Sequence, residues 1–222
     1  MDFTASKAKV ADWLNRSDLT SQIGDFINIA QRNLERENNW NAMKQRKTLS
    51  ATSEAYITLP DRIKEVRWLK YFWNDRYWDL DFKSPQTALA LFPYPSSQTS
   101  RPKVYAFLEE QNEILIRPSP DQAYAYDMGI YAYTADLSAG ADHNWWTDNA
   151  WELLLFAALI AAEPFIKDDP RIPVWQAMYE KLKSNLQSAE DKASSAGGPL
   201  VIVSNLPAQL SGGGSFDIDI IE

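Results

Sequence analysis

The chain has 222 residues, is 45% hydrophobic and carries a formal net charge of −8, with no cysteine. This length allows one or two domains with a sizeable core. The acidic balance argues against a dedicated nucleic-acid-binding protein, which normally has a basic surface. The lack of cysteine excludes disulfides and thiolate metal sites and is typical of a cytosolic product. No signal-peptide pattern opens the sequence, and the apolar run at 153–162 is too short to cross a bilayer. We expect a soluble protein without a membrane anchor.

The N-terminal region, residues 1–47, has the apolar periodicity of helices. A short helix is predicted up to about Leu14, followed by a longer helix for which Asp18 is the expected N-cap. The apolar stripe of the longer helix comprises Ile23, Phe26, Ile27, Ala30 and Leu34. The expected solvent-facing residues are Gln31, Arg32, Glu35 and Arg36. The pattern continues less clearly to about Lys47, so we predict a two-helix hairpin.

Residues 48–136 contain short segments rich in β-branched and aromatic residues, separated by turn signals. Pro60, the pair Asn74 and Asp75, and a Pro/Ser stretch at 93–102 interrupt them. Ser84 followed by Pro85 predicts the start of one short helix. Strands this short and this closely spaced predict a small antiparallel sheet or a partly closed barrel.

The C-terminal part returns to helical patterns. Residues 145–166 are apolar nearly all round and predict a buried helix that Pro164 should kink. Asp169 and Pro170 suit the start of a last helix that runs to about Ser195. The expected inner face of this helix comprises Val174, Met178, Leu182 and Leu186.

The predicted fold class is therefore α+β. We expect a helical bundle formed by the N- and C-terminal helices, with an inserted small antiparallel β module and an extended C-terminal tail. The corresponding parts are residues 1–47, 48–136, 137–196 and 197–222.

The tail combines glycine-rich stretches with two β-forming islands. In the second island, apolar residues alternate with Asp217 and Asp219, which is the period of a half-buried strand. A lone strand has no sheet of its own, so we expect it to pair with an edge on another chain. The tail residues expected to bind a partner or a neighbouring subunit are Val201, Ile202, Val203, Phe216, Ile218 and Ile220. A disordered terminus is the alternative.

The sequence contains no constellation typical of catalysis. The single histidine, His143, is flanked by Asp142 and has Asp148 nearby, but a surface cap at a helix start is the favoured interpretation. A zinc site without cysteine normally needs two or more histidines. Neither a calcium loop nor a phosphate-binding glycine-rich loop is present. We therefore predict a protein that is not an enzyme and has no cofactor or metal.

The chain is rich in aromatic residues, with nine Trp, ten Tyr and nine Phe. Those in the middle region are too numerous for one buried face of a small sheet. Surplus aromatic side chains are typical of protein interfaces and of sugar-binding grooves. The residues predicted to form a partner-binding surface are Trp68, Tyr71, Trp73, Tyr77 and Trp78. A carbohydrate groove and generous burial are the alternatives.

Several motifs, taken in their order along the chain, resemble the head-to-tail adaptor (connector) proteins of short-tailed, podovirus-like bacteriophages. They are VADWLNRSDL at 10–19, LPD at 59–61, SP at 84–85, IRPSPD at 116–121, YAY at 131–133 and AAEPFIKDD at 161–169. The resemblance covers residues 8 to about 180. Each motif alone is weakly specific, and the aromatic segment 68–78 departs from the pattern.

The resemblance implies a non-enzymatic virion protein of the neck or tail, assembled in the host cytoplasm. Such a protein forms a ring with copies of itself, expected to be a dodecamer, and binds the portal protein above and tail nozzle or tail fibre proteins below. Genomic DNA would pass through the lumen without specific binding. The acidic composition agrees with this, because a basic lining would bind DNA through counterion release and slow its passage.

Two other functions fit parts of the sequence. A carbohydrate-binding or carbohydrate-hydrolysing virion module would use aromatic platforms with Asp148 and Glu152, which are i and i+4 on the predicted helix. A tail-tube or neck component of a longer-tailed phage would share the ring but have different neighbours.

Overall fold

The computed structural model describes residues 1–16, 18–94, 99–166 and 169–195. Within these ranges the chain forms seven α-helices, one 3-10 turn and eight strands. The helices are α1 Phe3–Leu14, α2 Ile23–Glu37, α3 Pro85–Leu91, α4 Trp145–Asn149, α5 Trp151–Ala161, α6 Glu163–Ile166 and α7 Ile172–Ser195. The 3-10 turn spans Asn41–Met43. The strands are β1 Lys44–Thr52, β2 Tyr56–Thr58, β3 Ile63–Trp73, β4 Arg76–Asp79, β5 Asp81–Phe82, β6 Val104–Leu108, β7 Glu113–Arg117 and β8 Tyr124–Ala132.

The strands form two four-stranded sheets. Sheet A has the order β1-β8-β3-β4 and is antiparallel throughout. Sheet B has the order β2-β7-β6-β5, in which only the β5–β6 pair is parallel. The inner faces of the two sheets share one core, in which Tyr126 and Met128 of sheet A join Ile114 and Ile116 of sheet B. On the other face of sheet B, α3 packs through Ala88.

The predicted fold class is wrong in its architecture, although α+β as a class fits. Two four-stranded sheets with a core of their own organise the molecule, rather than a helical bundle with a small antiparallel insert. The first strand also begins at Lys44, inside the segment predicted to be helical. Seven of the nine residues of β1 are exposed, so the strand lacks the apolar alternation that would have revealed it.

The helices α1, α2, α5 and α7 surround a second core, in which α5 is buried on most of its sides. The predicted inner face of α7 is correct in the second half of the helix, where Leu182 and Leu186 pack on the core, and rotated in the first half. Trp175 is 3% exposed and Tyr179 packs on the core, while Val174 is 62% exposed and Met178 is 39% exposed. The α7 helix therefore keeps two apolar side chains on its outer surface.

The helix ends differ in part from prediction. The α2 helix begins at Ile23 without a side-chain cap, whereas Asp18 forms an ion pair with Arg16 at 2.6 Å. The buried apolar helix ends at Ala161, just before Pro164. A cap at Asp169 agrees with the structure, since its Oδ1 accepts a bond from the Arg171 amide at 2.9 Å.

A buried polar network joins α2 to the segment that leaves sheet A. Glu35 is fully buried, and its Oε1 accepts bonds from the Trp146 Nε1–H at 2.9 Å and the Thr134 amide at 3.2 Å. Its Oε1 also accepts a bond from the Thr134 hydroxyl. Gln31, likewise buried, donates to the Thr134 hydroxyl at 2.8 Å and accepts from Asn144 at 2.7 Å. Both residues were predicted to face solvent, and that prediction is wrong.

A lysine at the start of β3 forms a second connection. The Lys64 ammonium donates to the main-chain carbonyls of Glu35 at 2.6 Å, Arg36 at 3.3 Å and Asn38 at 2.9 Å. These are carbonyls at the C-terminal end of α2, where a cation stabilises the helix dipole. Burial lowers the pKa of Lys64. The connection fixes the long strand β3, and with it the surface described next, relative to the helices.

Candidate interaction surface

The β3–β4 hairpin closes through Asn74 and Asp75, which have φ values of 52° and 56°. Two consecutive residues with positive φ form the type I′ turn that matches the twist of a tight hairpin. Asn and Asp adopt this region more readily than other residues with a side chain. The turn fixes a register in which Phe72 lies opposite Tyr77. Since side chains alternate along a strand, this register decides for each aromatic ring of the hairpin which of the two faces of the sheet it lies on.

The face that points away from sheet B carries Trp68, Phe72 and Tyr77. Phe72 is 40% exposed and Tyr77 is 48% exposed, with ring centroids 5.2 Å apart. The Trp68 indole lies across Gly129 of β8, where the absence of a side chain leaves room for it. The Arg46 guanidinium lies 6.0 Å from the Tyr77 centroid. These contacts hold rigid aromatic rings at the surface.

The opposite face of the hairpin carries a second aromatic group. Trp73 and Trp78 have ring centroids 6.5 Å apart, and Trp78 is 37% exposed. Arg101 stacks on Trp73 at 3.8 Å and Arg76 stacks on Trp78 at 4.9 Å. A guanidinium over an indole face is an attractive cation–π contact. At the tip of sheet A, two neighbouring indoles are therefore each covered by an arginine.

A shallow depression of about 630 Å³ lies beside the outward aromatic face. Its lining residues are Arg46, Trp68, Lys70, Tyr77, Asp79 and Asp127. Arg46 donates to the buried Asp127 at 2.7 and 2.9 Å, and this hydrogen bond raises the pKa of Arg46. Lys70 pairs with Asp79 at 3.1 Å. The ion pairs fix the long basic side chains in place around the aromatic rings.

Four of the five aromatic residues predicted for this surface, Trp68, Trp73, Tyr77 and Trp78, lie partly or largely exposed on the hairpin. Tyr71 instead lies in the core between the sheets, 5% exposed, with its ring edge-on to Tyr124 at 5.1 Å. The predicted binding residues did not include Phe72, which lies on the outer face because it is two residues from Lys70 and four from Trp68 along the strand. They also did not include the three arginines, Arg46, Arg76 and Arg101, because distant parts of the chain supply two of them.

The predicted tail residues Val201, Ile202, Val203, Phe216, Ile218 and Ile220 lie outside the described residues. Their role in binding a partner stays a prediction.

The residues weighed for catalysis lie on the surface. His143 Nδ1 is 2.7 Å from Asp148 Oδ2, and the N-terminal ammonium donates to Asp148 Oδ1 at 3.0 Å. These bonds, with His143 first, lower the pKa of Asp148. A carboxyl group kept ionised in this way is unsuited to act as a general acid near neutral pH. Among the described residues no group of three or more His, Cys, Asp or Glu side chains is placed to hold a metal ion.

None of the helices in the described ranges is both long enough and apolar enough to cross a membrane.

The exposed aromatic and arginine side chains of the hairpin have the composition typical of protein interfaces. The family model described as SU10 adaptor protein matches residues 1–202, and the chain belongs to this family. The family is one of structural phage adaptors, so the resemblance found in the sequence is confirmed. Membership implies a virion component that contacts other virion proteins. A comparison with curated proteins found no match.

Proposed function

We propose that the chain is the head-to-tail adaptor of a phage neck. Copies form a ring, a dodecamer, below the portal and connect the capsid vertex to the tail nozzle or fibres, and the lumen of the ring lets DNA leave the head. Family membership supports the adaptor role. The observation that carries the connecting role is the arginine-bordered aromatic surface of the β3–β4 hairpin.

The composition of this surface favours binding to another protein. Trp, Tyr and Arg are the residues enriched among those that dominate binding energy at protein interfaces. Their rings are already held by stacking and by the type I′ turn, so little side-chain entropy is lost when a partner docks. A shallow depression instead of a deep cleft also suits a protein surface better than a small molecule. We assign the hairpin to the contact with the tail nozzle or fibre protein.

A second exposed apolar pair supports contacts between copies. Val174 and Met178 are one helical turn apart on the outer surface of α7. In a closed ring each subunit contacts its two neighbours through two different surfaces. Val174 and Met178 of one copy can therefore pack on a different surface of the next copy. The net charge of −8 supports a lumen that repels DNA.

The experiment measures assembly in two steps. Full-length protein is mixed with portal rings of the same virus, and the mass of the complex gives the number of bound copies. A dodecameric increment supports the proposal, whereas failure to bind the portal refutes it. The tail nozzle or fibre protein is then added, and its affinity is compared between the wild type and the double variant Y77A/W78A.

We expect the double variant to bind the tail protein at least ~30-fold more weakly, since loss of a binding hot spot costs about 2 kcal/mol or more. Portal binding should be unchanged. The matched control is Phe82→Ala, which removes an aromatic ring that is 61% exposed on sheet B. Equal affinities for the double variant and the control would refute the role of the hairpin.

A further inference from the structure

The first strand of sheet A leaves a long edge open. The four edge strands of the two sheets are β1, β4, β2 and β5, with 9, 4, 3 and 2 residues. Residues 44–49 pair with β8 without a shift in register, and their other side has no strand neighbour among the described residues. Seven of the nine residues of β1 are exposed. The unpaired main-chain groups of such an edge are a template for a further strand.

The open edge is basic. Lys44, Arg46 and Lys47 are exposed on it, in a chain whose net charge is −8. Lysine and arginine on an edge repel another copy of the same edge, which prevents pairing between like strands. The same charges favour a strand that carries acidic residues, because opposite charges on neighbouring strands attract. The edge therefore selects an acidic strand.

The chain itself contains a segment of the required kind. Residues 216–221 alternate Phe216, Ile218 and Ile220 with Asp217 and Asp219, and match the regular part of β1 in length. On an added strand the two aspartates would share a face with Lys44 and Arg46. The apolar residues would then share the other face with Leu49, which packs on the core between the sheets. In this register the aspartates lie beside Lys44 and Arg46. Lys47 lies on the face of the apolar residues, where its aliphatic stem can cover them while its ammonium reaches solvent.

The linker is long enough for a neighbouring copy to be the source of the strand. The α7 helix passes beside the start of β1, since the Asn41 amide donates to Glu190 Oε1 at 2.8 Å. Only a few residues would be needed to return to the edge of the same subunit. Residues 196–215 reach up to ~66 Å when extended, whereas a folded chain of this length has a radius of gyration of about 17 Å. That reach spans to the next subunit of a ring.

We propose that the β1 edge of each subunit receives residues 216–221 of a neighbouring copy as a fifth strand of sheet A. The inference rests on the proposed ring and names the contact that links its subunits. It assigns the apolar tail residues to the adaptor itself instead of to the portal. A strand passed from each copy to the next is a head-to-tail contact, which gives a ring when the rotation between neighbours closes.

The test uses the natural absence of cysteine. One full-length variant carries Thr48→Cys on β1, and others carry a single cysteine at 217, 218, 219 or 220. The β1 variant and one tail variant are mixed, assembled on portal rings and oxidised with glutathione disulfide. Covalent dimers are then measured on non-reducing gels. Thr48 lies on the same face as Arg46, so we expect dimers with cysteines at 217 and 219 and few with those at 218 and 220.

Two controls fix the interpretation. When the β1 variant is Lys47→Cys, whose side chain lies on the opposite face of β1, the cross-linking pattern should invert, so that dimers form with cysteines at 218 and 220. Tyr77→Cys on β4, the other edge of sheet A, should give no dimers with any tail cysteine. The alternation and its inversion together identify a paired strand, which chance collisions between chains cannot produce.

The outcomes separate the two proposals. If the adaptor binds the portal rings but cross-linking to the β1 cysteine does not alternate along the tail positions, this inference is refuted and the proposed function is left intact. A link that forms only within one chain, in a variant with both cysteines, refutes the neighbouring copy as the source of the strand. Portal rings that bind no adaptor refute the proposed function, and the inference falls with it.

Discussion

Substitution of the buried carboxylate at Glu35 tests whether the polar network holds the helices against the sheets. The variant Glu35→Ala removes the acceptor of the Trp146 Nε1–H, the Thr134 amide and the Thr134 hydroxyl. The hydroxyl can rotate, so two donors of fixed direction are left without a partner. A buried donor without a partner costs about 1–3 kcal/mol, so two of them cost ~2–6 kcal/mol. Part of this cost is offset because the alanine variant no longer buries a carboxylate. In the wild type, Glu35 Oε2 has no hydrogen bond and its nearest cation, Arg32, is 3.7 Å away. We therefore expect a net loss of about 2–4 kcal/mol.

The loss is measurable by urea unfolding, followed by tryptophan fluorescence and by circular dichroism. An unchanged slope with a lower midpoint would show that stability, rather than the extent of unfolding, has changed. Glu35→Gln should cost less than the alanine variant, since it keeps an oxygen acceptor for both donors. The control Glu37→Ala, on the same helix as Glu35, removes an ion pair with Lys183 and the acceptor of the Tyr179 hydroxyl at a partly exposed carboxylate, and should cost about 1–1.5 kcal/mol. Equal losses for Glu35→Ala and Glu37→Ala would refute the reasoning.

Two further predictions concern the sheets. Burial raises the pKa of Tyr124 to about 12, so the folded state keeps a proton that the unfolded state releases near pH 10. The free energy of unfolding should be unaffected below pH 10 and fall as the pH rises towards 12. Urea midpoints that do not fall over this pH range would contradict the prediction. Gly129→Ala places a methyl group where the Trp68 indole lies, so the ring must move at a cost of about 1–3 kcal/mol. We expect lower stability, changed tryptophan fluorescence and weaker binding of the tail protein. An unchanged fluorescence spectrum together with unchanged binding would contradict the placement of the ring.

The stripe of α2 was predictable because its apolar residues keep a strict 3.6-residue spacing, and all five are buried. Its buried polar residues were not predictable. Gln31 and Glu35 have the composition of a solvent face, and only the segment around Thr134, about a hundred residues away, turns them into core. Local patterns carry no information about a partner that tertiary structure supplies.

The hairpin shows the same limit. Tyr71 and Phe72 are adjacent aromatic residues, and nothing in their chemistry states which one faces the core. The register with β8 and the turn at Asn74 decide it. The open edge β1 was missed for a related reason, since an exposed basic strand shows neither helical nor alternating apolar periodicity. The aromatic excess indicated that some rings stay exposed, as Tyr77 and Trp78 do, because a small sheet cannot bury that many rings. Their role in binding a partner stays a prediction.

The charge distribution agrees with the proposed strand exchange between copies of the chain. A twofold contact requires a surface that is complementary to itself. The β1 edge carries Lys44, Arg46 and Lys47, so two such edges repel each other. The acidic segment at 216–221 is complementary to that edge and repels its own copies. Two surfaces that each reject themselves and accept the other can pair reciprocally, as in a strand-swapped dimer, or head to tail, and head-to-tail contacts close into a ring when the rotation between neighbours divides a full turn evenly. The number of copies bound to each portal ring decides between the two arrangements.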